Sequence, residues 1–191
     1  MQLCFATNNA HKLEELQHLI GDKIDLLSLQ GIGCTDEIPE TGNTLQANAL
    51  EKASYVQTKF AINCFADDTG LEVDVLEGAP GVYSARYAGE PANSDKNIEL
   101  LLKNLKGIQN RTARFRTVIA LLIDDKEPIY FEGVVEGHIA EKSSGKGGFG
   151  YDSVFIPNGV SCTFAMMSAK DKNSISHRGK AVEKLVRFLT I

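Results

Sequence analysis

No CxxC pair, no surplus of basic residues and no apolar run of membrane-spanning length occurs in these 191 residues. Each absence closes off a class of function. The four cysteines, Cys4, Cys34, Cys64 and Cys162, stand far apart, so zinc ligation is not expected and they read as reduced, buried thiols. The formal net charge is -5. Sequence-independent nucleic-acid binding needs a broad basic surface to displace counterions, so no nucleic-acid partner is expected. A small anionic substrate is compatible with that charge, because a local cluster of Lys and Arg can reverse the field where it binds. A membrane span takes roughly 20 apolar residues, and no run approaches that length. No basic leader with an apolar stretch stands ahead of Leu3, and the expected location is the cytoplasm. The pattern GxxxxGK[ST] is missing as well, which excludes that type of phosphate loop.

What is present is an ordinary globular composition, 43% hydrophobic and 24% charged, able to bury a core within one domain over residues 1–191. Leu3 to Ala6 forms an apolar strand that runs into the capping cluster Thr7, Asn8 and Asn9. Leu13, Leu16, Leu19 and Ile20 then recur at helical spacing, and Gly21 stands where a helix stops. A second strand is read over 24–29. Thr44 caps a helix through Leu45, Ala49, Leu50, Ala53 and Val56. Cys64 to Ala66 reads as a strand leading into Asp67-Asp68-Thr69-Gly70. Residues 77–93, rich in Gly, Pro and Ala, read as an ordered functional loop. Ser94 opens a helix. Phe115 to Ile123 and Ile129 to Ile139 form a hairpin across Asp124-Asp125-Lys126-Glu127-Pro128. A short strand at Val154 to Ile156 and an amphipathic helix from about Arg178 complete a mixed-sheet α/β pattern.

Five polar clusters fall at element ends or in loops. Thr7-Asn8-Asn9-Ala10-His11-Lys12 offers capping side chains, free backbone N–H groups and a lysine, which suits phosphate; taken by itself it reads first as a plain helix cap with a solvated lysine. Asp67-Asp68 after a buried strand is costly unless the pair holds a cation or meets basic side chains; the other reading is an Asp-rich turn bent at Gly70. Glu37 to Thr44, with Asn48, Glu51 and Lys52 on the following helix, either adds acids to a metal site or is loop and cap. In Gly145 to Asp152, glycines allow close backbone approach, Phe149 or Tyr151 can stack on a base, and Asp152 can meet a base edge. Lys170 to Arg178 is dense in donors that suit an anion or a base edge.

The stretches ATNNAHKLEEL, ETGNTLQANALEKA, FADDTGLEVDVLEGAPGVYSARYAG, GKGGFGYDSVF and KNSISHRGKA span nearly the whole chain. In this order they closely resemble the inosine triphosphate pyrophosphatase family, the non-canonical purine nucleotide pyrophosphatases. The resemblance implies an elongated α/β fold, a mixed sheet flanked by helices, with two lobes around a central substrate cleft, and commonly a homodimer. It implies magnesium-dependent hydrolysis of ITP, dITP or XTP to the monophosphate and pyrophosphate. By matching residues, Thr7, Asn8, Asn9, Ala10, His11 and Lys12 hold phosphate, with Lys52 near it. Asp68 is the catalytic base or principal metal carboxylate, supported by Asp67 and by Glu40 or Glu37, and Thr69 touches substrate. Phe149, Gly150, Tyr151 and Asp152 form a base pocket that Lys172, His177 and Arg178 complete. Arg178, with His177 or Lys172, is expected to donate to the purine 6-carbonyl, where adenine presents a donor of its own. Two other readings stay open: a related pyrophosphatase for pyrimidine or modified nucleotides, and a nucleotide-binding module without turnover.

Overall fold

The computed structural model describes residues 2–21, 24–124 and 126–190; Asp125, in the expected hairpin turn, lies outside them. Among the described residues, seven strands form a mixed sheet, flanked by five helices. The strands are β1 (Gln2–Phe5), β2 (Asp25–Ser28), β3 (Cys64–Val73), β4 (Pro80–Gly81), β5 (Thr112–Leu122), β6 (Ile129–Ile139) and β7 (Phe155–Pro157). Their order is β2-β1-β3-β5-β6-β7, with β4 paired to β3. The helices are α1 (Ala10–Ile20), α2 (Leu45–Phe60), α3 (Ser94–Asn104), α4 (Ala169–Ile175) and α5 (His177–Leu189).

The described chain divides into two compact units. The first comprises Met1–Asp68, Thr117–Gly133 and Arg178–Ile191. Here β1 lies parallel to β2, with Leu3 opposite Leu26, and parallel to β3, with Phe5 opposite Phe65. Leu3, Cys4 and Phe5 are fully buried, as a strand covered on both faces requires. Phe5 and Phe65 stack with centroids 4.9 Å apart, within a core that also takes Leu16 and Ile20 from α1 and Val182 and Leu185 from α5. The caps follow the sequence. Asn9 accepts from the Lys12 amide, Gly21 closes α1 at φ 56°, and Thr44 accepts from the Ala47 amide. α2 buries Leu45, Asn48, Ala49, Lys52, Ala53 and Val56. That set is a helical stripe by spacing, with two polar members.

The second unit comprises Thr69–Arg116 and Val134–His177. Its core joins Leu71 and Val73 to Ile98, Leu101 and Leu105 and to the aromatics Phe115, Tyr151, Phe155 and Phe164. The 77–93 region is ordered by short-range structure: β4, a 3₁₀ turn at Ser84–Arg86, and the buried Asn97. Asn97 accepts from the Ala88 amide and donates to the Ala85 carbonyl.

Two expectations change. β3 does not end at Ala66 but continues to Val73, so Asp67 and Asp68 are buried strand residues and not a turn at Gly70. The second change is an addition: α4, a helix not expected ahead of α5, is capped by Ser168, whose hydroxyl accepts from the Asp171 amide.

The thiols behave as core groups. Burial, helped by the neighbouring Cys34, pushes the Cys4 thiol up to about 11. Burial, helped by Cys4, pushes Cys64 up to about 12. Cys162 is only half-buried. Because the thiolate is the nucleophile, iodoacetamide at pH 8 should modify Cys162 first and reach Cys4 and Cys64 only on unfolding. Peptide mapping that found early labelling of Cys4 or Cys64 would contradict this packing.

Candidate active site

The first unit assembles a charged cluster around the end of its portion of β3. Asp67 is 2% exposed and Asp68 7%, and a buried carboxylate survives only with partners. The Lys12 ammonium, at the start of α1, donates to Asp67 Oδ1 at 3.0 Å. Arg178, in the first turn of α5, donates through Nε to Asp67 Oδ2 at 3.2 Å and through a terminal nitrogen to Glu15. Asp68 receives a hydrogen bond from Asn48 Nδ2 on Oδ2, at 3.0 Å, and has Lys52 at 3.6 Å from Oδ1. Lys52 also pairs closely with Glu40. Glu51 holds the segment that carries Glu40. Its carboxylate accepts from the Thr41 amide and the Thr41 hydroxyl, both at 2.7 Å.

Within this cluster the two aspartates differ electrostatically. Burial alone would raise the Asp67 carboxyl, but Lys12, Arg178 and Lys52 outweigh it and hold the group below the usual carboxylate range. The stability this contributes is fully present above the ordinary aspartate pKa and is lost as pH falls below it. Burial raises the Asp68 carboxyl, and Lys52, Lys12 and Asn48 offset only part of that. Burial lowers Lys12 more than Asp67 raises it. For Lys52 burial is outweighed by Asp68, Glu40 and Asp67, and its pKa rises. Lys12 at 3.0 Å and Arg178 at 3.2 Å both lie against Asp67, whereas Lys52 stands 3.6 Å from Asp68. Asp67 is thereby a fixed anion, and Asp68 the carboxylate with proton affinity to spare.

The turn ahead of α1 is exposed at Asn8, Asn9, Ala10 and His11, and Thr7 is half-buried. Thr7 Oγ1 accepts from the Asn9 amide, and Asn8 donates to the Asp36 carbonyl. Their side chains thus shape a helix start open to solvent, suited to an anion.

The second unit carries a separate cluster. Phe149 precedes a 3₁₀ turn, Gly150–Ser153. Asp152, 3% exposed, accepts from the Phe149 amide at 2.9 Å and from the Lys172 ammonium at 2.7 Å. The same ammonium lies 5.2 Å from the Phe149 ring centroid, a cation–π distance. A Cβ on Gly148 would come 2.1 Å from the Asp152 carboxylate, so a glycine there is a steric requirement. Tyr151 is buried and donates to the Ser84 carbonyl at 2.8 Å; its ring is core, which leaves Phe149 as the stacking candidate. His177, 3% exposed, stacks on Phe115 at 4.6 Å. Thr69, half-buried on β3, begins this unit.

Of the expected site residues, Lys12, Lys52, Asp67, Asp68, Glu40 and Arg178 come together in one unit, and Phe149, Asp152 and Lys172 in the other. Arg178 was expected at the base edge; here it is engaged by Asp67 and Glu15. Glu15, Asn48 and Glu51 were not expected in these roles. Glu15 follows Lys12 by three residues and so shares its helix face, the one signal available for it.

Magnesium commonly takes one or two carboxylates and completes its shell with phosphate oxygens and water. Asp68 and Glu40, both directed at the Lys52 cation, fit that donor set. Asp67, with Lys12 on one oxygen and Arg178 on the other, fits it less well. Among the described residues no group of three or more His, Cys, Asp or Glu is placed to hold a metal. No helix among them is long and apolar enough to cross a membrane.

Removing Arg178 would take a charged partner from two acids, one of them deeply buried. Arg178→Ala is expected to cost about 3–5 kcal/mol of stability at pH 7, and adding Asp67→Asn should return part of it. Urea unfolding of the three proteins decides the point; a loss below about 1 kcal/mol for the single variant would contradict the pairing.

Comparison with known proteins completes the picture. The family model described as the Ham1 family matches residues 3–188. A Porphyromonas gingivalis protein named dITP/XTP pyrophosphatase is 54% identical over 189 residues, covering 98% of this chain and 97% of its own. One of the same name from Bacillus subtilis is 46% identical over 187 residues, covering 96% and 94%. The solved structure of the Staphylococcus aureus Ham1 protein superposes with a TM-score of 0.90 at 36% identity, over 100% of this chain and 98% of that one. A HAM1 protein from Coxiella burnetii gives 0.91 at 38%, with the same coverage. With matches along its whole length in sequence and in fold, this chain belongs to the Ham1 family.

Proposed function

We propose that the protein hydrolyses non-canonical purine nucleoside triphosphates, ITP, dITP or XTP, to the monophosphate and pyrophosphate, clearing them from the nucleotide pool. Two features support this reading: its relatives are named dITP/XTP pyrophosphatases, and Lys12 and Lys52 are held among Asp67, Asp68 and Glu40 beside a solvent-open helix start. The second observation carries the chemistry, because it pairs phosphate-binding cations with a carboxylate of raised proton affinity.

The reaction is attack of water on the α-phosphorus. A P–O bond forms, the bond to the bridging oxygen breaks, and pyrophosphate leaves with the electron pair. Asp68 takes the water's proton, a role open to a carboxylate standing beside the lysines that would hold the phosphates. Lys12 and Lys52 offset the phosphate charge that would repel the incoming oxygen. Asp67 and Arg178 keep Lys12 in place. Magnesium held by Asp68 and Glu40 would supply charge neutralisation for the leaving group. Working location in the cytoplasm and assembly as a homodimer belong to the same proposal.

Base choice is assigned to the Lys172–Asp152–Phe149 cluster. Phe149 offers a face for stacking, and Lys172 a donor for the purine 6-carbonyl. Against the amino group of adenine, a buried donor would be left unpaired, at about 1–3 kcal/mol.

With ITP and magnesium, IMP and pyrophosphate should appear in equal amounts with no IDP on the way. Early IDP with orthophosphate would mean attack at the γ-phosphorus and would refute the proposal. A pyrimidine triphosphate turned over faster than ITP in the same assay would favour the related-substrate reading. Lys172→Met should shrink the ratio of kcat/KM for ITP over ATP by about one to two decades. Arg178→Ala should lower both constants alike. If Lys172→Met leaves the ratio unchanged, Lys172 does not read the base.

A further inference from the structure

Asn48 lies on the buried stripe of α2, 1% exposed, among Leu45, Ala49, Lys52, Ala53 and Val56. Its Nδ2 donates to Asp68 Oδ2 at 3.0 Å, while its Oδ1 is buried with no hydrogen-bond partner. The segment after Glu40 closes over that oxygen: a Cβ on Gly42 would come 2.8 Å from it. Filling the stripe does not require an amide. Leucine has nearly the same size and would leave no acceptor orphaned. A buried acceptor left without a partner is a standing cost, and such groups call for an explanation beyond packing.

That explanation lies in the freedom of the carboxylate beside it. Asp χ2 is broad, so burial alone does not fix the plane in which the carboxylate lies. Lys52 does not fix it either, since an ammonium is a compact point charge with rotatable donors, 3.6 Å away and shared with Glu40. The planar Asn48 amide, held by α2, donates to one oxygen only. We propose that Asn48 is a positioning residue for the hydrolytic reaction, holding the plane of the Asp68 carboxylate so that one oxygen stays on the amide and the other on the Lys52 side. The inference rests on Asp68 being the reactive carboxylate.

The decisive comparison is Asn48→Leu in the wild-type and Asp68→Asn backgrounds, with kcat, KM and thermal midpoint measured for ITP. In the wild-type background kcat should fall about 10- to 100-fold, the scale of a small misplacement of a reacting group. KM should stay within about twofold, and the midpoint should change little, because relief of the orphaned acceptor offsets the lost hydrogen bond to Asp68. In the Asp68→Asn background the same change should cause no further loss of rate, since Asn48 acts through Asp68. Equal loss in both backgrounds, retained kcat, or a fall in midpoint that tracks the fall in rate would overturn the proposal. Should Asn48→Leu fail to fold, Asn48→Ala is read by the same non-additivity. Near-normal turnover of Asp68→Asn by itself would remove Asp68 from the mechanism and Asn48's role with it, whereas IDP as the product would sink the substrate reading while the background test still holds.

Discussion

Two adjacent carboxylates inside a buried strand set the terms for the first unit. Asp67 and Asp68 sit on β3 with almost no exposure, where an isolated charge would shift its pKa and neutralise rather than persist. Each must therefore draw partners from elsewhere. α1 contributes Lys12, α2 contributes Asn48 and Lys52, and α5 contributes Arg178. Three helices thus converge on one strand for an electrostatic reason as much as for the apolar contacts beneath them. The caps of α1 and α2 belong to the same logic, because Asn9 and Thr44 fix where each helix starts and so which residue of each turn reaches β3.

Adjacency in sequence does not make the two acids alike. Side chains alternate along a strand, so Asp67 and Asp68 project to opposite faces and meet different neighbours. Asp67 meets a lysine and a bidentate-capable guanidinium, and is locked as an anion. Asp68 meets an amide and a lysine that divides its charge with Glu40. Opposite displacement of two neighbouring carboxyls is how one site separates a structural charge from a reactive one.

The elements built on periodicity and caps were legible in the sequence. α1, α2 and α5 follow apolar spacing, and the β5–β6 hairpin follows β-rich runs around a charged turn. α4 was not legible: it is seven residues long, and its buried member is Lys172, so no apolar period exists to find. The extent of β3 was hidden for a related reason. Asp-Asp-Thr-Gly has turn chemistry locally, and only side chains from three distant helices make it acceptable in a strand. The site followed the same division. Residue types that carry charge announced themselves, whereas their pairings did not, because Arg178 is 111 positions from Asp67 and nothing local prefers that partner to a base edge. The signal that was available and specific is on α2, where Asn48 and Lys52 interrupt an otherwise apolar stripe.

Buried polar residues carried by helices are the common thread of both units. In the first, Asn48 and Lys52 occupy positions where apolar residues would pack well; in the second, Lys172 is buried against Asp152 and two aromatic rings. Replacing a buried ion pair by well-packed apolar groups is often neutral or stabilising. The fold's own energetics therefore give no reason to keep these groups. What they provide is direction. A buried lysine held by a carboxylate presents its remaining donors along few directions, and a carboxylate held by an amide presents one oxygen to one side. Under the proposed function, chemistry on a phosphorus atom and discrimination at a purine edge would both depend on that fixity, and here it is obtained by placing the polar groups on helices that the core already holds still.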